Sequence, residues 1–147
     1  MTAAYTDGFA IIILMIREIM IQDYDNLIGF WGKNYFVGDM DSKDRLALFL
    51  EKNPGLSILM EENGGIIGTA LGSFDGRRGY IQKVVVDTDH RKRGIGKQLV
   101  DHVITKLKDL GATYIPIAVE EELVHFYTTC GFQKTSLVPM KLEIIRK

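Results

Sequence analysis

The chain alternates between two periodicities. The longest apolar run, Phe9-Ala-Ile-Ile-Ile-Leu-Met-Ile16, contains three consecutive β-branched isoleucines and predicts a buried strand. Asp23, Asp25 and Asn26 then offer polar starts for a helix ending near Lys33, with Leu27, Ile28, Phe30 and Trp31 as its buried face. Ser42 predicts the cap of a second helix carrying Leu46, Phe49 and Leu50 at helical spacing, stopped by Asn53-Pro54-Gly55. The period then drops to that of strands. Leu56–Glu61, Ile66–Ser73 and Tyr80–Asp87 are joined by the turn signals Asn63-Gly64 and Asp75-Gly76. Ile95, Leu99, Val103, Leu107 and Leu110 form one stripe of a long helix that Gly111 ends. Strands over Thr113–Val119 and Val138–Ile144 are expected to flank a short helix from Glu121 to Cys130.

The predicted order is β-α-α-β-β-β-α-β-α-β. This is an α/β (α+β) fold with a mixed, mostly antiparallel central sheet flanked by helices. The segment from Tyr80 to Val119 is expected to be one right-handed parallel β-α-β crossover. The length of 147 residues suits one domain. Met15 directly precedes the first strand-to-helix segment, so residues 15–147 are expected to form the domain, with 1–14 an N-terminal extension able to add a strand. Eight apolar residues are too few to span a bilayer, which needs about 20. Asp7 before the run and Arg17-Glu18 after it do not suit a signal peptide. A cytoplasmic protein is the expectation.

Composition narrows the chemistry. Eighteen basic and nineteen acidic residues give a net charge of −1, which argues against nucleic acid as a partner. The single cysteine, Cys130, excludes an internal disulfide and a cysteine-rich zinc site, and is read as a packing residue. His90, His102 and His125 have no metal-ligand spacing, so no metal is expected. The charge is nevertheless uneven. In His90-Arg-Lys-Arg-Gly-Ile-Gly-Lys97, four of eight residues are cations, two are glycines, and the segment opens the long helix. Unpaired N–H groups and the partial positive charge of a helix start, approached without a Cβ in the way, make a cradle for a pyrophosphate. Leu99 stands where a Rossmann fingerprint needs its third glycine. Arg91 and Gln98 break the P-loop pattern.

Arg91-x-x-Gly94-x-Gly96 instead resembles the Gln/Arg-x-x-Gly-x-Gly/Ala motif of the GNAT superfamily of acetyl-coenzyme A-dependent N-acetyltransferases. Three further segments carry the resemblance: Val84-Val85-Val86-Asp87 before the loop, Phe126-Tyr127-Thr128-Thr129-Cys130-Gly131-Phe132 after it, and Ile16-Arg17 with Gln22-Asp23-Tyr24 at the start. The resemblance covers about residues 15–142 and looks closest to small bacterial members.

The resemblance implies transfer of an acetyl group from acetyl-coenzyme A directly onto a primary amine, of a small molecule or a peptide. It places the pantetheine arm beside Val84, Val85 and Val86, and the pyrophosphate on the backbone of Arg91, Lys92, Arg93, Gly94, Ile95, Gly96 and Lys97. Tyr127 matches the tyrosine that protonates the departing thiolate. A neutral phenol, with a reference pKa near 10 against about 8.5 for a thiol, suits that role. Gln82 stands where many relatives carry an acid and cannot accept a proton. Glu120, Glu121 and Glu122 are substitutes by location, or simply complement a helix start. The asparagine usual between the fifth strand and the Tyr127 helix is absent, and Thr88 replaces a common proline. These departures leave a second reading open, a non-catalytic acyl-coenzyme A-binding or sensing module. Trp31, Tyr35 and Phe36 are placed either in an acceptor pocket or in the core, Arg77 and Arg78 in a turn. A monomer and a homodimer are both compatible with the sequence.

Overall fold

In a computed structural model the described residues are 2–8 and 10–144. Phe9, the first residue of the apolar run, and the end of the chain from 145 lie outside them. The chain divides into two compact units, Met1–Ile117 and Ala118–Lys147.

The first unit is built on a five-stranded sheet whose spatial order follows the chain: β1 (Thr2–Asp7), β2 (Ala10–Glu18), β3 (Ile58–Glu62), β4 (Gly65–Phe74) and β5 (Gly79–Val86). Every neighbouring pair is antiparallel. β1 pairs with β2 from Thr2 opposite Met15 to Asp7 opposite Ala10, so β1 and the first part of β2 form an antiparallel pair at the sheet edge. At the β3–β4 turn Asn63 and Gly64 both take positive φ, as the Asn-Gly signal predicts.

Three helices belong to this unit: α1 (Tyr24–Asn34), α2 (Lys43–Lys52) and α3 (Ile95–Asp109). Ser42 caps α2, its Oγ accepting the Arg45 N–H at 3.4 Å. The two faces of β4 separate the helices. Leu71 joins the core of Ile19, Leu27, Phe30, Trp31 and Leu46, on the side of α1 and α2. On the opposite face a Cβ at Gly68 would lie 2.7 Å from Leu99 of α3, and one at Gly72 2.7 Å from Val103. Glycine there lets α3 lie close on the sheet. Ile95, Leu99, Val103 and Leu107 are buried as the stripe predicts, with Val100 beside them. Leu110 is 54% exposed, because the helix ends at Asp109.

Two expected strands are not formed. Residues 113–119 contain none, and the parallel crossover is reduced to one bond between the Gly79 N–H and the Tyr114 carbonyl, 3.0 Å. Pro116 in this stretch has no N–H for a ladder. The second unit contains α4 (Val124–Thr129) but, among the described residues, no strand. Residues 138–144 therefore have no partner strand in their own unit, and Pro139 interrupts them. Val138, Met140, Leu142 and Ile144 are exposed.

Candidate functional site

The site grows from an irregularity in β5. Thr69 lies opposite Val85 and Leu71 opposite Gln82, so Lys83 and Val84 together face the single residue Ala70. This is a bulge, and Lys83 absorbs it with φ of +51°. The bulge is held from both ends of Lys83. Its carbonyl accepts the Thr69 hydroxyl at 2.9 Å, and that hydroxyl accepts the Trp31 indole N–H at 3.0 Å. Its ammonium reaches Asp41 Oδ2 at 2.9 Å and the Phe36 carbonyl at 3.0 Å. It also lies 4.9, 5.4 and 4.5 Å from the ring centres of Trp31, Tyr35 and Phe36. The three aromatic residues thus divide. Trp31 is wholly buried core, while Tyr35 and Phe36 are half exposed.

Beyond the bulge, Val84, Val85 and Val86 complete β5, which is the last strand of the sheet. Its outer edge is unpaired with any strand among the described residues, which leaves backbone groups for a ligand. Val85 is buried; Val84 and Val86 are half-buried.

The loop after β5 is held by hydrogen bonds to its surroundings. The Asp87 N–H donates to the Ile67 carbonyl, 2.9 Å, and the Thr88 N–H to Asn34 Oδ1, 3.1 Å. Arg91 reaches back to the carbonyls of Val86, 3.3 Å, and Asn34, 3.4 Å. His90 lies between two carboxylates: Nδ1 is 2.6 Å from Asp87 Oδ2, and Nε2 contacts Glu62. Both ring nitrogens of His90 thus face carboxylate oxygens. The His90 hydrogen bond holds the Asp87 carboxyl below the usual carboxylate range, with a smaller contribution from Lys33.

Lys92 and Gly94 both take positive φ, +65° and +77°, and Gly94 caps α3 without a side-chain oxygen. A Cβ at Gly94 would meet nothing within 4 Å. The space over Gly94 at the start of α3 is therefore open, and the exposed Arg91, Lys92, Arg93 and Lys97 lie on either side of it in the chain. Ile95 is buried and anchors the helix start, and Gly96 is half-buried. Lys97 pairs with Asp101 at 2.6 Å. The donor set of N–H groups and cations fits a polyphosphate.

The profile of the acetyltransferase (GNAT) family matches residues 16–132. The chain belongs to that family. An acetyltransferase of Yersinia pestis is 34% identical over 108 residues, 73% of this chain and 77% of the relative. Mycothiol acetyltransferase of Propionibacterium freudenreichii is 33% identical over 103 residues, 65% of this chain. The matched chain spans only 33% of that relative's length. The crystal structure of glucosamine-6-phosphate N-acetyltransferase from Arabidopsis thaliana shares the fold, with a TM-score of 0.69, 24% identity, and coverage of 88% of this chain and 97% of that one. GNAT acetyltransferases are acyltransferases that use acetyl-coenzyme A and act on amine acceptors.

In the second unit Tyr127 is half-buried on α4, edge-on to Phe126 and Phe132 with ring centres 4.9 and 5.7 Å away. Glu120, Glu121 and Glu122 are exposed, and Glu121 pairs with Lys134 at 3.0 Å. Among the described residues no group of three or more histidine, cysteine or acidic side chains is arranged to hold a metal, and no helix is long and apolar enough to cross a membrane.

Sequence reasoning missed Lys83, Asp41, Asn34 and the Glu62–His90–Asp87 trio. The one signal for the bulge was the polar pair Gln82-Lys83 inside an otherwise apolar strand. His90 and Asp87 are three positions apart, but the contacts that tie these side chains to other elements span 28 to 57 positions and leave no local pattern.

Proposed function

We propose that this chain is an N-acetyltransferase that moves the acetyl group of acetyl-coenzyme A directly onto a primary amine. The turn from Lys92 to Gly96 carries the reading. It combines two positive-φ residues, an uncapped helix start and neighbouring cations, and it closely follows an edge strand. The residues of the loop, Arg91 through Lys97, hold the pyrophosphate through backbone N–H groups and added charge. The free edge of Val84, Val85 and Val86 binds the pantetheine amides as a short added strand. When bound, the cofactor supplies an activated thioester acyl group. Tyr127 is the proton donor to the thiolate leaving group. A phenol does this without ionising first.

Gln82 cannot act as a base, and the carboxylate near it, Asp41, is engaged by Lys83. The attacking amine therefore arrives neutral or loses its proton to water, and turnover rises with pH until the amine is deprotonated. The test compares the intact protein with Tyr127→Phe for binding of acetyl-coenzyme A and for thiol release with a panel of amines. Retained binding with turnover lowered at least about a hundredfold supports the assignment. Binding by both proteins with no amine acetylated by either would favour the sensing module instead.

A further inference from the structure

Along β5 the proposed cofactor contacts occupy only the second half. From Gln82 to Val85 is about 10 Å at strand spacing, and the space before Gln82 is lined differently. A cavity of about 290 Å³ is bounded by Gln82 and Lys83 of β5 and by Asp41, Arg45, Phe49 and Lys52 from α2 and the turn before it. A second cavity of about 470 Å³ continues it toward the start of β5, and the two share Lys52 and Asn53. The result is one groove ending at the bulge.

Its charge is one-sided. Both acids of the groove are already engaged. Asp41 pairs with Lys83 and accepts the Gly38 N–H at 2.9 Å. Asp75 accepts the backbone N–H groups of Arg77 and Arg78, each at 2.7 Å, which hold its carboxyl below the usual range. Arg78 lies 5.5 Å from the Tyr114 ring centre. Arg45 and Lys52 are exposed on α2, seven residues apart and so on one helix face, and form no ion pair among the described residues. They present two uncompensated cations to the groove. A polycationic amine entering there meets like charge. An amine carrying a carboxylate or phosphate meets a planar guanidinium that binds such groups bidentately.

We propose that the acceptor carries an anionic group, a carboxylate or a phosphate, and that Arg45 and Lys52 bind it while its amine lies beside Gln82 and Lys83, where the bulge begins. The proposal rests on the acetyl-transfer reading above. It makes Arg45 and Lys52 determinants of acceptor specificity, and leaves binding of the cofactor to Val84, Val85, Val86 and the loop after them.

The test uses matched amines: tyramine against tyrosine for the carboxylate, ethanolamine against phosphoethanolamine for the phosphate. Acetylation of each is followed at low salt, together with the affinity for coenzyme A, in the intact protein, Arg45→Glu and Lys52→Glu. The expected result is a kcat/KM about tenfold or more higher for the anionic member of at least one pair. Either charge reversal abolishes that preference through KM and leaves the affinity for coenzyme A unchanged. The pair that shows the preference identifies the anion. Arg45→Gln and Lys52→Gln, which keep α2 polar, reproduce the loss in weaker form. Preference for the neutral amines, or a preference that survives both reversals, overturns the proposal while acetyl transfer stands. Weakened coenzyme A binding in the reversals also overturns it, by placing the cofactor in the groove. Acetylation of no amine by a protein that binds acetyl-coenzyme A ends both readings.

Discussion

Lys83 Nζ lies 2.9 Å from Asp41 Oδ2, and the two side chains are only 11% and 10% exposed. The pair joins the bulged strand to the turn before α2, and three aromatic rings close around it. A buried ion pair adds little over an apolar replacement, but breaking one partner leaves a stranded charge. Asp41→Ala is expected to cost about 3 kcal/mol in urea unfolding. Replacing both residues, Asp41→Leu with Lys83→Met, is expected to recover most of that loss.

The face of β4 toward α3 tolerates no added atoms at one position. A Cβ at Gly72 falls 2.7 Å from the Leu56 carbonyl oxygen, which is backbone and cannot step aside. At Gly68 the nearest atom is the movable end of Leu99. Gly72→Ala is expected to lower stability by about 2 kcal/mol and Gly68→Ala by less, as read from thermal or urea unfolding of the two variants.

Acid weakens the first unit through Asp23. Two hydrogen bonds from Arg17, 2.7 and 2.9 Å, are the main reason its carboxyl titrates below the usual range. A depressed folded value means that the stabilisation is complete above the unfolded value, about pH 4, and is lost as pH falls through the folded one. The stability difference between the intact protein and Arg17→Gln should therefore be present at pH 7 and shrink steadily below pH 4. A difference independent of pH would contradict the assignment.

His90 ties Glu62, at the β3–β4 turn, to Asp87, at the start of the loop proposed to hold the cofactor. His90→Gln can bond only part of this arrangement. Coenzyme A is expected to bind about tenfold more weakly to that variant, because the loop must then be ordered on binding. Titration calorimetry at neutral pH measures it.

Much of this was legible in the chain. The stripe of α3, the Ser42 cap and the Asn63-Gly64 turn are local signals, and each element formed where its residues placed it. The loop of Arg91–Lys97 was legible for the same reason, since its glycines and cations are contiguous. The two missing strands show the limit. Apolar alternation at Val138, Met140 and Leu142 says that a segment can pair, but pairing needs an available neighbour. The Lys83 cage and the basic groove were hidden because each assembles residues far apart in the chain, the cage from α1, the segment after it and β5, the groove from α2, β4 and β5.

The most direct test is titration of coenzyme A into the intact protein and into Gly96→Asp. An aspartate in the first turn of α3 favours the helix dipole, so the fold and Tm should hold. It also sets a negative charge inside the proposed pyrophosphate cradle. The account predicts tight binding to the intact protein and at least about a tenfold loss in the variant. Equal affinity for both proteins would place the cofactor elsewhere and contradict the account.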